Sequence, residues 1–469
     1  MNRSNTVTAV QHQFQVVGAA LMRANLNNTH SGNISLRDPL EPDRFYITAS
    51  GSMCAALEPE EIVPVRLSDM AWSGARHPSS ETNTHRAVLQ LPGVRACIHC
   101  HAAAATVISL ESPQKPVFLI EAGTHPSDDA GRRFQPVDFF GAGLIGDVVV
   151  GTYTQSVGSR EMQDRIPRHL SHRPLTIVMG HGPFARGASL AECLHYLSVL
   201  ENSSRLALAL RRRGIELSEI QRLILANGFE SFFPGKPRVP DFGAPAPPPD
   251  PGSSRAQTSF AYWLAYGFDL GLAAFATGSM SRREGPDEML FCPMAAAPTG
   301  VEAPLLRLPV RSGEPRAADI QMHRQIYART PFTACVVAPS PLATAEATAV
   351  LSEAGTPAAS MARCPEHASD LPVIVPIDAE ASYYNIRLPV APLAAMGDGA
   401  RDDLICGMLR RGGGCGIIAG YGVIAAGEAG LAQAFYRLSL AERIARFRQE
   451  VHLQHVLLGG AAPADFETK

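Results

Sequence analysis

The residues best suited to chemistry are Glu81, His99, His101 and His181, in Pro78-Ser79-Ser80-Glu81, His99-Cys100-His101 and His181-Gly182. Val94, Ala96 and Ile98 alternate with other side chains, which predicts a strand over residues 94–101. Side chains two apart on a strand point the same way, so His99 and His101 share one face and Cys100 takes the other. Two imidazoles close to a carboxylate suit a divalent cation. Zinc takes imidazole readily, and a catalytic zinc keeps three protein ligands and one open position. His181 is the best candidate for the third ligand: it follows the apolar run Leu175 to Met179, at a strand end where Gly180 and Gly182 let the backbone bend. A lone His-x-His reads as two core or surface histidines, and the flanking Ser-Ser-Glu and His-Gly turn the reading to a metal. Glu81 is the candidate general base, since a carboxyl beside a cation can hold a substrate proton.

The elements that must position these side chains follow from the same pattern. Ser79 or Ser80 is suited to accept a hydrogen bond from a first-turn N–H, and Glu81 adds negative charge to that turn. Leu91-Pro92-Gly93 stops this helix. A helix is predicted over residues 9–22, strands near 33–36 and 45–48, a helix from about Ala102, a strand over 174–179 and a long helix over 190–210. Strands alternating with helices imply a layered α/β domain. The stretch from Glu111 to Ser171 is the least readable, and within it His125 and Asp128 read as a polar loop. Cys97, on the His99 face, and Cys100 read as buried, inert cysteines rather than a Cys-x-x-Cys site.

The ordered set Gly32-Asn33-Ile34-Ser35, Ile47-Thr48-Ala49-Ser50-Gly51, Pro78 to Glu81, His99-Cys100-His101 and His181-Gly182 resembles the class II aldolase/adducin family. These are zinc-dependent sugar-phosphate aldolases and epimerases. The resemblance implies a three-layer α-β-α domain with a mostly antiparallel central sheet. It implies a Zn2+ ion, or another divalent metal such as Mn2+, Fe2+ or Co2+, acting as a Lewis acid on a ketose so that an enediolate is stabilised. It assigns substrate phosphate binding to Asn33, Ser50, Gly51, Ser79 and Ser80. The reaction expected is retro-aldol cleavage of a small phosphorylated ketose or sugar acid. Epimerisation or decarboxylation at the same site is the alternative: Glu81-Thr82-Asn83-Thr84-His85 is similar to the epimerase branch, yet that branch carries aspartate where Glu81 stands. A non-catalytic, adducin-like assembly protein is the reading from another class. The resemblance also implies a homo-oligomer with sites at subunit boundaries, so that a tandem chain could mimic half of a ring.

The second half repeats the first. His323-Arg324-Gln325-Ile326-Tyr327 through Ala334-Cys335-Val336-Val337 matches His85 to His99 without gaps, and Gly278-Ser279-Met280-Ser281 matches Gly32 to Ser35. Gly420-Tyr421-Gly422 matches Gly180-His181-Gly182. The organisation expected is a catalytic domain over residues 1–235, a Pro-rich linker over 236–256 and a degenerate copy over 257–469. In that copy Val337, Pro339 and Tyr421 replace the three histidines, Ser279 replaces Asn33, and Asp319 replaces Glu81. Valine and proline side chains cannot bind a metal, and neutral tyrosine binds one poorly. The core pattern survives without the chemistry, so the copy is expected to serve structure, assembly or regulation. His323 reads as a buried helix histidine.

The 469 residues are 46% hydrophobic and 18% charged, enough apolar content to bury more than one core. A net charge of −3 gives no electrostatic footprint for nucleic acid. Nine cysteines without regular spacing imply no disulfide framework and suit a reducing cytoplasm. Met1 to Ala20 lacks the pattern of a signal peptide, and no apolar run is long enough to span a membrane.

Overall fold

A computed structural model describes residues 3–111, 118–121, 131–218, 220, 224, 255–293, 305–311, 318–353, 365–383, 386–396 and 401–457. His125, Asp128 and most of the Pro-rich linker lie outside the described residues.

Among the described residues the first lobe holds nine strands: β1 (Asn33–Arg37), β2 (Arg44–Thr48), β3 (Ile62–Arg66), β4 (Ala96–His99), β5 (Leu119–Glu121), β6 (Arg132–Phe134), β7 (Val148–Gly151), β8 (Leu175–Val178) and β9 (Gly182–Gly187). They form one sheet in the order β3-β2-β1-β4-β9-β8-β7-β6-β5, antiparallel except for β7 against β8. Its helices are α1 (Arg3–Arg23), α2 (Thr82–Leu89), α3 (Ala103–Ser109), α4 (Phe139–Leu144), α5 (Arg160–His172) and α6 (Leu190–Arg212).

Period-two alternation sorts the strand residues between two cores. Ile34, Ala96 and Ile98 pack on the side of α1, α3 and α6. Phe45, Ile47, Cys97 and Phe184 pack on the side of α2 and α5. The result is the three-layer α-β-α arrangement.

The second lobe repeats this plan with β10 (Ser279–Gly285), β11 (Glu288–Pro293), β12 (Leu306–Pro309), β13 (Ala334–Ala338), β14 (Val373–Ile374), β15 (Leu388–Ala391), β16 (Cys415–Ile418) and β17 (Gly422–Gly427). Their order, β12-β11-β10-β13-β17-β16-β15-β14, is that of the first sheet less its last strand, again with a parallel pair. Its helices are α7 (Arg255–Asp269), α8 (Ala318–Arg329), α9 (Pro341–Glu353), α10 (Ala379–Tyr383), α11 (Arg401–Arg411) and α12 (Leu431–Leu457). Helix α7 begins at Arg255, inside the segment expected to be linker.

The lobes share one continuous apolar core, with α6 wedged between its own sheet and α9. That double covering explains why α6 is buried on nearly every side although its sequence carries little amphipathic signal. Among the described residues no helix is long and apolar enough to cross a membrane. All eight described cysteines are free and buried.

Candidate metal centre

Three elements bring the predicted residues together. His99 ends β4, His101 follows two residues later, and His181 sits in the turn between β8 and β9. The expected strand is shorter at both ends, because the 182–187 strand pairs with it only from Ala96 to His99. The turn holds because Gly182 approaches the Cys100 carbonyl so closely that a Cβ there would lie 2.1 Å from its oxygen. Ligand nitrogens of the three histidines all lie within 4.8 Å of one another.

The donor atoms suit a cation. His99 Nδ1–H donates to the Pro183 carbonyl at 3.0 Å, which leaves Nε2 as a lone pair. That Nε2 stands 3.3 Å from His181 Nε2. Two imidazole nitrogens on one tetrahedral zinc are separated by about 3.3 Å. Burial is the largest cause holding each ring neutral: it pushes His99 well below its ordinary value, lowers His181, and takes His101 down to about 4. Neutral imidazole is the form that binds metal.

Glu81 is buried beside this cluster, with Oε2 3.7 Å from His99 Nε2 and Oε1 without a hydrogen-bond partner. It is the residue before α2, not part of its first turn, and its side chain caps no N–H. The predicted cap on a first-turn N–H is absent: Ser79 Oγ accepts instead from the Glu81 N–H, ahead of the helix, at 3.3 Å. Burial pushes the Glu81 carboxyl up, while the Asn33 amide, donating to Oε2 at 2.8 Å, and the Gly158 main chain pull it down. Asn33 is itself fixed by His85, whose other ring nitrogen meets Ser35 Oγ at 2.6 Å. Asn33 therefore holds Glu81 and keeps one amide N–H for another partner.

The remaining predicted residues lie on two segments joined by an isolated antiparallel bridge between Ala49 and Pro78, which sets Ser50 opposite His77 and Ser79 opposite Thr48. This pairing consumes the Ser50 and Ser79 N–H groups, which donate to the His77 and Thr48 carbonyls at 2.9 and 3.1 Å. Those two amides are not available to a phosphate. Ser50, the Gly51 turn and Ser80 are exposed, while Ser79 is buried.

Sequence reading missed the 152–158 loop between β7 and α5. The Ser156 main chain faces the His181 ring, and Gly158 faces Glu81. Gly158 has φ +57, and a Cβ there would lie 2.9 Å from the Ser80 carbonyl. The Gly-Ser pair before the α5 run was the available signal, with Ser159 capping α5 by accepting from the Met162 N–H at 3.2 Å.

In the second lobe, Ser279 and Ser281 hold His323 as Asn33 and Ser35 hold His85. Tyr421, in the place of His181, is buried against Phe139 and Phe140 of the first lobe, with ring centroids 5.4 and 5.3 Å away.

Residues 13–208 and 268–448 each match the model of the class II aldolase and adducin N-terminal domain. The chain is 29% identical over 186 residues to a methylthioribulose-1-phosphate dehydratase of Leptospira biflexa, which covers 36% of this chain and 82% of that protein. It is 28% identical over 183 residues to a 5-methylthioribulose-1-phosphate/5-deoxyribulose-1-phosphate aldolase of Rhodospirillum rubrum, covering 39% and 72%. Among solved structures, l-fuculose-1-phosphate aldolase from Thermus thermophilus is similar at 25% identity, covering 45% of this chain and 95% of that one, with a TM-score of 0.37. Repeated sheet order, repeated histidine–serine clamp and two separate family matches lead to one conclusion: this chain belongs to the class II aldolase and adducin N-terminal domain family, and it carries that domain twice.

Proposed function

We propose that the first lobe is a divalent-metal-dependent lyase acting on a small phosphorylated ketose or sugar acid. The observation that carries this reading is the convergence of three neutral imidazoles beside a buried carboxyl with one oxygen unpartnered. His99, His101 and His181 hold the cation, Zn2+ or another divalent metal. When bound, it supplies Lewis-acid polarisation of a substrate carbonyl or hydroxyl oxygen.

Glu81 takes or returns the substrate proton at Oε1, the oxygen left free by Asn33. Asn33 keeps Oε2 oriented. The Ser50, Ser79 and Ser80 hydroxyls, the Gly51 turn and the spare Asn33 N–H bind the phosphate. The bond broken is the C–C bond of a retro-aldol cleavage. Water loss is the second reading, favoured by the name of the Leptospira relative. The epimerase and decarboxylase alternatives require the same proton relay. An adducin-like assembly role remains the reading of another class, and the intact histidine trio favours the enzyme.

Metal analysis tests the site. The wild-type protein is expected to hold one equivalent of a zinc-type ion, and His99→Ala with His101→Ala to lose it. Equal metal in both proteins removes the reading. A screen of phosphorylated ketoses and sugar acids, read for aldehyde, water loss and CO2, then separates the reactions.

A further inference from the structure

We propose that His77 is a further phosphate contact of the first lobe's site, and that Trp72 holds its ring in place. This inference rests on the reading of Ser50, Gly51 and Ser80 as the end of the site that takes the substrate's phosphate. It adds a residue from outside the ordered motifs.

The motif residues leave a phosphate short of donors. Such a group presents three strong acceptor oxygens and close to two negative charges. The Ser50 and Ser79 amides are taken up by the His77 and Thr48 carbonyls. The Ser79 side chain is buried, and its Oγ receives the Glu81 N–H at 3.3 Å. What remains is the exposed Ser50, Gly51 turn and Ser80, with the spare Asn33 N–H. None of these carries a positive charge. Within three residues of Ser50, Gly51, Ser79 and Ser80, the basic side chains are Arg76 and His77. Arg76 is committed to Glu61, with 3.4 Å between the charged groups. His77 is exposed, and its ring makes no hydrogen bond or ion pair with the described residues.

The fold puts His77 where the donors are missing. The bridge between Ala49 and Pro78 is antiparallel, with the Ser50 N–H donating to the His77 carbonyl at 2.9 Å. Residues directly opposite in such a pair carry Cβ atoms about 4.5–5.5 Å apart on one side. Ser50 and His77 are one such pair, and Thr48 and Ser79 follow on the same side. That side is tied to the site from both segments. Thr48 Oγ1 accepts from the Ile34 N–H at 3.2 Å, next to Asn33, and Ser79 Oγ accepts from the Glu81 N–H. At the outer end the Trp72 ring meets the His77 ring, with centroids 4.8 Å apart. Trp72 is anchored in turn by its bridge to Val65 of β3. An imidazole resting on an indole has fewer orientations to lose when it meets an anion. Its ring carries at least one N–H donor in either protonation state. Trp72 stays 40% exposed, so its contact with His77 gives this residue a use that core packing does not.

Inorganic phosphate, added to the full chain as purified, is the probe. Phosphate is expected to protect His77 from acylation by diethyl pyrocarbonate, read by peptide mass spectrometry, while the exposed His367 of the second lobe goes on reacting. In titration calorimetry His77→Ala is expected to bind phosphate about tenfold more weakly than wild type, the size of one hydrogen bond to a charged group. His77→Gln keeps an N–H donor and recovers most of that loss, and Trp72→Ala falls between. Metal content is expected to be the same in all of them. Ser80→Ala separates two kinds of failure. Weaker binding in Ser80→Ala without weaker binding in His77→Ala, or a His77 that phosphate does not protect, overturns the role of His77 and leaves the phosphate site standing. Wild type that binds no phosphate, or equal affinity in every variant, overturns the phosphate site and the role of His77 with it.

Discussion

At the scale of single residues, the site is a balance around one carboxyl. Burial favours the protonated Glu81, and the Asn33 N–H and Gly158 main chain favour the ionised form, so the group can serve as acid and base in turn. Glu81→Gln is expected to keep full metal content and lose roughly 10²–10⁴-fold in kcat, since general acid–base catalysis is worth about that much. Loss of metal in this variant would recast Glu81 as a ligand. The histidines and Glu81 were legible because each lies in a short local pattern. Gly158 was not, because the Gly-Ser pair announces only a turn before α5 and not the tertiary approach to Ser80. Gly158→Ala forces the loop away from Ser80, and a displacement of that kind costs on the order of 10²-fold in kcat. Metal content in that variant is expected to be unchanged, and wild-type kcat would show that the loop plays no part in the reaction.

At the scale of elements, the two lobes share a clamp of helix histidine on strand hydroxyls: His85 on Ser35, and His323 on Ser279 and Ser281. Burial takes both rings down to about 3. An unfolded histidine protonates near about 6.5, so above that pH neither state binds the proton. As pH falls from about 6.5 toward 3, only the unfolded chain takes it up, and stability drops by up to about 1.4 kcal/mol per pH unit for each histidine. His323→Gln is expected to flatten this acid loss by one histidine's share, read as urea midpoints at a series of pH values. An unchanged slope would mean that His323 is protonated in the fold. The buried nature of His323 was legible from the repeat. The short strands β5, β6 and β7 were not, since three or four residues carry too little periodicity to separate a strand from a loop.

At the scale of the whole molecule, the repeat was visible in the sequence, and the way its halves meet was not. Which face of a domain is covered depends on single substitutions, such as Phe139 and Phe140 where the second lobe has Ala379 and Glu380. Those two rings close over Tyr421 and make it part of the shared core. Removing one such buried ring costs about 3–5 kcal/mol, a large fraction of the stability of a domain. Wild type is expected to unfold in one calorimetric transition, because α6 belongs to the cores of both lobes. Phe139→Ala with Phe140→Ala removes the seal while leaving each lobe's own sheet intact, so the single transition is expected to split into two, the lower one shifted down by several degrees. A single transition at the wild-type midpoint in this variant would show that the lobes are held together by α6 alone, and that the packing of Phe139 and Phe140 on Tyr421 contributes nothing to the union.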